Sequence, residues 1–199
     1  GAGKIFELLD YKQYRWPGHG ISEQSAYQAV EGEYMLAEDY EALIDDPSDF
    51  WVRRWMPRVF GALEPLKHLS AFTDAWEIVL VSLQMIPFGV PPVQNALKAL
   101  LDAGNEAMAW IQKIAGFEMG AKAMGFPSCF GGATKAPFDT IGDTLSGTRG
   151  MMMDMYRRPD MVLRAVERFT PLAIKQGVGG ATMNGCPVVF IPLHKGADG

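Results

Sequence analysis

KAPFDTIGDTLSGTRGMMMDMYRR, residues 135–158, indicates the fold more clearly than any other stretch of the chain. The Ala-Pro pair at 136–137 predicts the end of an extended segment, because the residue before a proline is kept out of the helical region. Phe138 then begins a periodic run, so the chain is expected to pass from strand to helix. Asp139 and Asp143 would share one face near the start of this helix, where unpaired amides favour negative charge. Asp143 is a candidate catalytic carboxylate there, and Asp139 is expected to cap the helix.

A longer motif includes this strand-to-helix turn. The motif begins with a proline-aromatic pair at residues 136–138 and continues through a short helix that contains Leu145. Gly147 follows, and then a methionine-rich helix at residues 151–159 that ends in Tyr-Arg-Arg-Pro. This order resembles the uroporphyrinogen decarboxylase family over roughly residues 131–198. The resemblance implies a TIM barrel and a decarboxylase-like enzyme acting on a tetrapyrrole. The family's decarboxylases carry a tyrosine, which helps to hold the substrate, at the position of Asp143.

The resemblance also leaves two other functions open. The wider family includes corrinoid-dependent methyltransferases, whose zinc is bound by a His-x-Cys pair and a distant cysteine late in the barrel. For such an enzyme a corrinoid would be the cofactor or partner. The third alternative is a non-catalytic half-barrel that serves as a binding or assembly module.

Chain length limits how much of a barrel can form. A closed (β/α)8 barrel usually takes about 250 residues, whereas this chain has 199. We therefore expect an α/β fold in one domain, a helix-rich partial (β/α)8 TIM barrel with parallel strands, cut from the middle of a longer protein. Half a barrel leaves strand edges open, and such edges favour pairing with a second copy in a homodimer.

The clearest strand is predicted near the end of the chain. Residues 187–193, PVVFIPL, form a continuous β-branched run that is typical of buried parallel strands. His194, Lys195 and Asp198 follow it directly, and the carboxyl ends of barrel strands face the active site. These three side chains are therefore candidate site residues.

Decarboxylation of a pyrrole acetate sets the roles that the candidates would fill. It needs a proton donor at the ring, a negative group that stabilises the cationic ring, and cations that bind carboxylates. We assign the negative group to Asp143 or to Glu31, which shares one side of a predicted strand, residues 26–35, with a second glutamate. Proton transfer is assigned to His194. The residues expected to bind substrate anions are Lys135, Arg149 and Lys195.

One further candidate lies near the start of the chain. His19 occupies a glycine- and proline-rich loop that also carries aromatic and cationic residues. His19 is either a substrate ligand or a loop histidine bonded to the backbone. Asp198, which follows the predicted strand at residues 187–193, is also a candidate for substrate binding.

Composition excludes several other classes of protein. Eighteen Lys and Arg residues against 23 Asp and Glu residues give a net charge of -5, which argues against a general nucleic-acid binder. The two cysteines, Cys129 and Cys186, have no metal-site spacing, so a reduced, cytoplasmic setting is expected. No apolar run reaches membrane-spanning length, and no dinucleotide or Walker motif is present. We expect a soluble protein with a small-molecule substrate and no predicted metal site.

Overall fold

The computed structural model describes residues 2–194, which form two compact units. The first unit contains residues 2–30 and 45–112, and the second contains residues 31–44 and 113–194. Helices make up 68% of the described chain. The long helix α6 belongs to both units, because the division falls between Gln112 and Lys113.

The α-helices and strands of the described residues have the following bounds. The helices are α1 (Gly3–Leu9), α2 (Tyr40–Asp45), α3 (Pro47–Phe50), α4 (Met56–Val59), α5 (Ile78–Gln84), α6 (Pro91–Ala123), α7 (Pro137–Asp139), α8 (Gly147–Arg157) and α9 (Pro159–Asn184). The strands are β1 (Tyr14–Pro17), β2 (Gly20–Ile21), β3 (Gln28–Ala29), β4 (Gly132–Ala133) and β5 (Val189–Phe190). Two π-helical stretches, Trp51–Trp55 and Thr140–Ser146, and several short 3-10 helices complete the structure.

A small apolar core lies in the first unit. Its buried residues come from the 3-10 helix Gly61–His68, from Leu69 and from the first turns of α6: Leu63, Leu66, Leu69, Val93 and Ala96. Val93 and Ala96, the two of these residues that belong to α6, are three apart, so they face the same side of the helix. The first unit also contains a three-stranded sheet of order β2-β1-β3, with β2 parallel and β3 antiparallel to β1.

The second unit contains a parallel pair of strands with helices between them. β4 and β5 pair in parallel, with Gly132 opposite Val189 and Ala133 opposite Phe190. Helix α9 lies directly against β4, because a Cβ atom at Gly132 would lie 2.3 Å from the carbonyl oxygen of Gly177. Only glycine allows this close approach of the two backbones.

The expected α/β fold, a partial (β/α)8 TIM barrel, is wrong. The described chain is mostly helical, and its five strands are two to four residues long in two separate sheets. The predicted strand at residues 26–35 forms only β3, and the one at residues 187–193 forms only β5. Pro187 and Pro192 flank β5 and have no amide hydrogen to donate, so the β4–β5 ladder stays too short to extend into a barrel wall.

The length and composition of the described helices decide whether they could cross a lipid bilayer. Taken singly, none of them is long and apolar enough to cross it. Residues Ile78–Gly89 and Pro91–Ala123, which bend by 77° where they join, meet the length and composition criterion only as a pair.

Candidate functional site

Three predicted site residues meet in the second unit. The Oδ2 atom of Asp143 lies 2.7 Å from Nδ1 of His194 and 3.0 Å from Nζ of Lys135. The Asp143 side chain is 17% exposed, that of Lys135 26% and that of His194 57%. We call these three residues the Asp143 cluster. Its carboxylate is largely shielded from solvent, whereas its histidine ring is accessible.

The positions of two cluster members follow from the parallel strand pair. Lys135 comes two residues after the end of β4, and His194 comes four residues after the end of β5. Since parallel strands end at the same edge of a sheet, both side chains emerge on the same side. Lys135 and His194 therefore come close together, although 59 residues separate them in sequence.

Asp143 reaches this place from a π-helical segment. Ala136 is the N-cap of α7, Pro137 opens its first turn, and the helix continues into the π-helix Thr140–Ser146, which carries Asp143. Gly147 ends this segment with a φ of +69°, a left-handed conformation that favours glycine. Single π-helical turns are rare in proteins and occur often at functional sites.

A second carboxylate of the same segment also contacts His194. Asp139 is completely buried, and its Oδ2 accepts a hydrogen bond of 2.8 Å from the backbone amide of His194. The expected capping role of Asp139 is wrong, because Ala136 occupies the N-cap position. Sequence reasoning missed this site residue. Its four-residue spacing from Asp143 was the available signal, since it places both carboxylates on one helix face.

The hydrogen bonds of the cluster define what its histidine can do. A carboxylate at 2.7 Å accepts from Nδ1–H of His194, which leaves Nε2 as the nitrogen that gains and loses a proton. Among the described residues, Nε2 has no hydrogen-bond partner. Lys135 donates to Asp143 and also approaches the hydroxyl of Thr144 at 3.3 Å. The arrangement is that of a carboxylate that orients a histidine for general acid–base catalysis.

An apolar groove lies next to the cluster. It has a volume of about 350 Å³ and is lined by the segment after β4, by α9 and by β5. Lys135 is the charged residue that lines it among the described residues, so the groove and the cluster share this side chain. An apolar cavity of this size beside a few convergent polar groups is typical of small-molecule sites.

The structure places the other candidates elsewhere. Glu31 accepts hydrogen bonds from the backbone amide of Thr148, at 2.6 Å, and from its hydroxyl, so it caps the start of α8. Arg149 is exposed on α8. His19 belongs to the first unit, where its Nδ1 lies 3.5 Å from a carboxylate oxygen of Glu7 in a separate pocket of about 280 Å³. The remaining candidates, Lys195 and Asp198, lie outside the described residues.

No set of three or more His, Cys, Asp and Glu side chains within residues 2–194 is arranged to hold a metal ion. The side chains of the Asp143 cluster can transfer a proton and pair charges. Comparison of the chain with protein-family models, curated proteins and solved structures finds no match.

Proposed function

We propose that the Asp143 cluster is the acid–base centre of an enzyme that acts on a carboxylate-bearing tetrapyrrole, as a porphyrinogen decarboxylase does. One observation carries the proposal: a single oxygen of Asp143 joins Lys135 and the ring of His194 where β4 and β5 end. The tetrapyrrole substrate is supported by the resemblance of residues 136–159 to the uroporphyrinogen decarboxylase motif.

Each member of the cluster has a role in such a reaction. The protonated His194 ring donates from Nε2 to a pyrrole carbon, which makes the ring cationic. The bond between the acetate methylene and its carboxylate then breaks, carbon dioxide leaves, and the bonding electrons neutralise the ring. A proton added to the methylene and one lost from the ring give a methyl group, so the net change replaces carboxylate by hydrogen.

Asp143 and Lys135 support this proton transfer electrostatically. The Asp143 carboxylate keeps the Nδ1 proton of His194 in place and stabilises positive charge on both the imidazole and the pyrrole. The Lys135 ammonium is close enough to attract a substrate carboxylate while its aliphatic stem lines the apolar groove. An apolar ring with an acidic substituent matches both surfaces.

The test is anaerobic incubation of the protein with uroporphyrinogen, followed by oxidation and chromatography of the porphyrins by their number of carboxyl groups. The wild type is expected to yield porphyrins that have lost one or more of them. Asp143→Asn is expected to lower the rate by about 100-fold or more, since it removes the charge that orients His194. Asp160→Asn is the matched control, because Asp160 is exposed in the first turn of α9.

Two results would contradict the proposal. One is equal turnover by the wild type and Asp143→Asn. The other is an absence of turnover together with an unchanged absorbance spectrum of uroporphyrin when the folded protein is added. A corrinoid titrated in parallel separates the methyltransferase alternative, because a shift of the corrinoid bands without porphyrinogen turnover would replace the proposal by methyl transfer.

A further inference from the structure

We infer that Asp139 is a positioning residue, which anchors the main chain at His194 so that the imidazole reaches Asp143. The catalytic meaning of this anchor rests on the proposed function, whereas the anchor itself is a matter of geometry. Asp139 acts through His194.

The two carboxylates hold two different atoms of one histidine. Asp143 binds the ring at Nδ1, at 2.7 Å, and Asp139 binds the backbone amide, at 2.8 Å. Both carboxylates belong to the continuous helical segment formed by α7 and the π-helix Thr140–Ser146. His194 is 55 residues away from Asp139 in sequence, so the contact joins two segments that are distant in sequence.

The main chain before His194 has little other support. The last backbone hydrogen bond of the β4–β5 pair runs from the amide of Thr134 to the carbonyl of Phe190. Pro192 has no amide hydrogen, and in the described part of the chain no backbone hydrogen bond holds residues 191–193. The amide of His194 is therefore the first anchored point after the strand, and Asp139 supplies the acceptor.

Burial also argues that Asp139 is there for its hydrogen bonds. A carboxylate removed from water is costly unless donors compensate it, and an apolar side chain would fill the same space without that cost. Asp139 is fully buried, and Ala136 rather than Asp139 is the N-cap residue of α7. The backbone amide of His194 donates one of the hydrogen bonds that compensate this buried carboxylate.

The test measures the tautomer of the His194 ring, which a merely structural residue would not change. Nitrogen-15 NMR distinguishes Nδ1–H from Nε2–H, and the chain has only three histidines, so His194→Gln identifies the signal. We expect Nδ1–H in the wild type and in Asp139→Asn, which keeps an acceptor oxygen. Asp139→Ala is expected to lose this preference although its Asp143 is intact, and Asp143→Ala, which removes the acceptor of Nδ1–H, is expected to lose it as well. A folded Asp139→Ala with the wild-type tautomer would overturn the inference.

A measurement on the wild type covers the case in which Asp139→Ala does not fold. Hydrogen exchange at the amide of His194 is expected to be slower than at Leu193 by roughly tenfold or more, because the Asp139 bond must open first. Equal exchange at the two amides would overturn the inference.

Turnover then separates the two proposals. If Asp139 positions His194 in an active enzyme, Asp139→Ala lowers kcat with KM nearly unchanged, and Asp139→Asn restores most of it. If the tautomer changes as expected but the wild type neither turns over uroporphyrinogen nor changes the absorbance spectrum of uroporphyrin, the proposed function fails and the positioning role stands.

Discussion

Two aspartates of the second unit, Asp143 and Asp154, use similar contacts to different ends. Asp154 is 7% exposed and pairs at 2.8 Å with Arg158, which lies four residues later at the C-cap of the same helix, α8. Asp143 pairs with residues that arrive from two other segments, and one of these, His194, is mostly exposed. An ion pair within one helical turn, between a buried carboxylate and a partly exposed guanidinium, stabilises that helix end. A shielded carboxylate that holds an accessible proton carrier can do chemistry.

The largest expected effect is the loss of turnover when Asp143 is substituted. Asp143→Asn should slow porphyrinogen turnover by about 100-fold or more, equivalent to about 3 kcal/mol of activation free energy. Its free energy of unfolding should change much less, because Lys135 and His194 remain partly solvated. Turnover and urea denaturation of the same preparation check both statements, and a loss of stability without loss of rate would contradict them.

The Asp154 side should show the opposite pattern. Asp154→Ala removes a buried carboxylate that pairs with the partly exposed Arg158 guanidinium, so the free energy of unfolding should fall by about 1 kcal/mol or more. The rate of the folded variant and the His194 tautomer should stay at wild-type values. Denaturation and nitrogen-15 NMR provide the measurements, and a changed tautomer would show that the two sites are not independent.

Tyr40, which is buried beside Asp154, sharpens the comparison through pH. Burial raises the pKa of the Tyr40 phenol well above its usual value, and the charge of Asp154 adds to the shift. Because the pKa is higher in the folded state, the contribution of Tyr40 to the free energy of unfolding is complete below the pKa of tyrosine in the unfolded chain, about 10. Above that pH the contribution declines by about 1.4 kcal/mol per pH unit. Tyr40→Phe should remove this component of alkaline destabilisation, as thermal melts between neutral and strongly alkaline pH would show. Identical alkaline loss in the two proteins would count against it.

The smallest expected effect concerns Glu31, which sequence reasoning placed with Asp143 as a catalytic candidate. Because its carboxylate caps α8 through Thr148, Glu31→Ala should lower the free energy of unfolding by about 1 kcal/mol. Turnover per folded molecule should remain unchanged. A rate loss as large as that of Asp143→Asn would return Glu31 to the catalytic site.

Local patterns in the sequence were sufficient to nominate the members of the Asp143 cluster. The proline at 137 indicated a change from extended chain to helix, and the β-branched run before His194 indicated a strand end. These signals depend on residues close in sequence. Lys135 and His194 flank that turn and that strand, and the structure brings both to Asp143.

Other features depended on partners that sequence periodicity does not identify. The barrel was wrong because strand length is set by pairing across the sheet, and β4 and β5 pair over two residues. Asp139 was misread as a cap because its donor comes from 55 residues away. Glu31 was placed on a strand, yet the contact that uses its carboxylate is with α8, 117 residues later.

The most direct test of the central claim is the anaerobic turnover of uroporphyrinogen by the wild type and by His194→Gln. The account predicts decarboxylated porphyrins from the wild type and a rate lower by about 100-fold or more for the variant, since glutamine cannot carry the proton. Equal rates for the two folded proteins would contradict the assignment of proton transfer to His194.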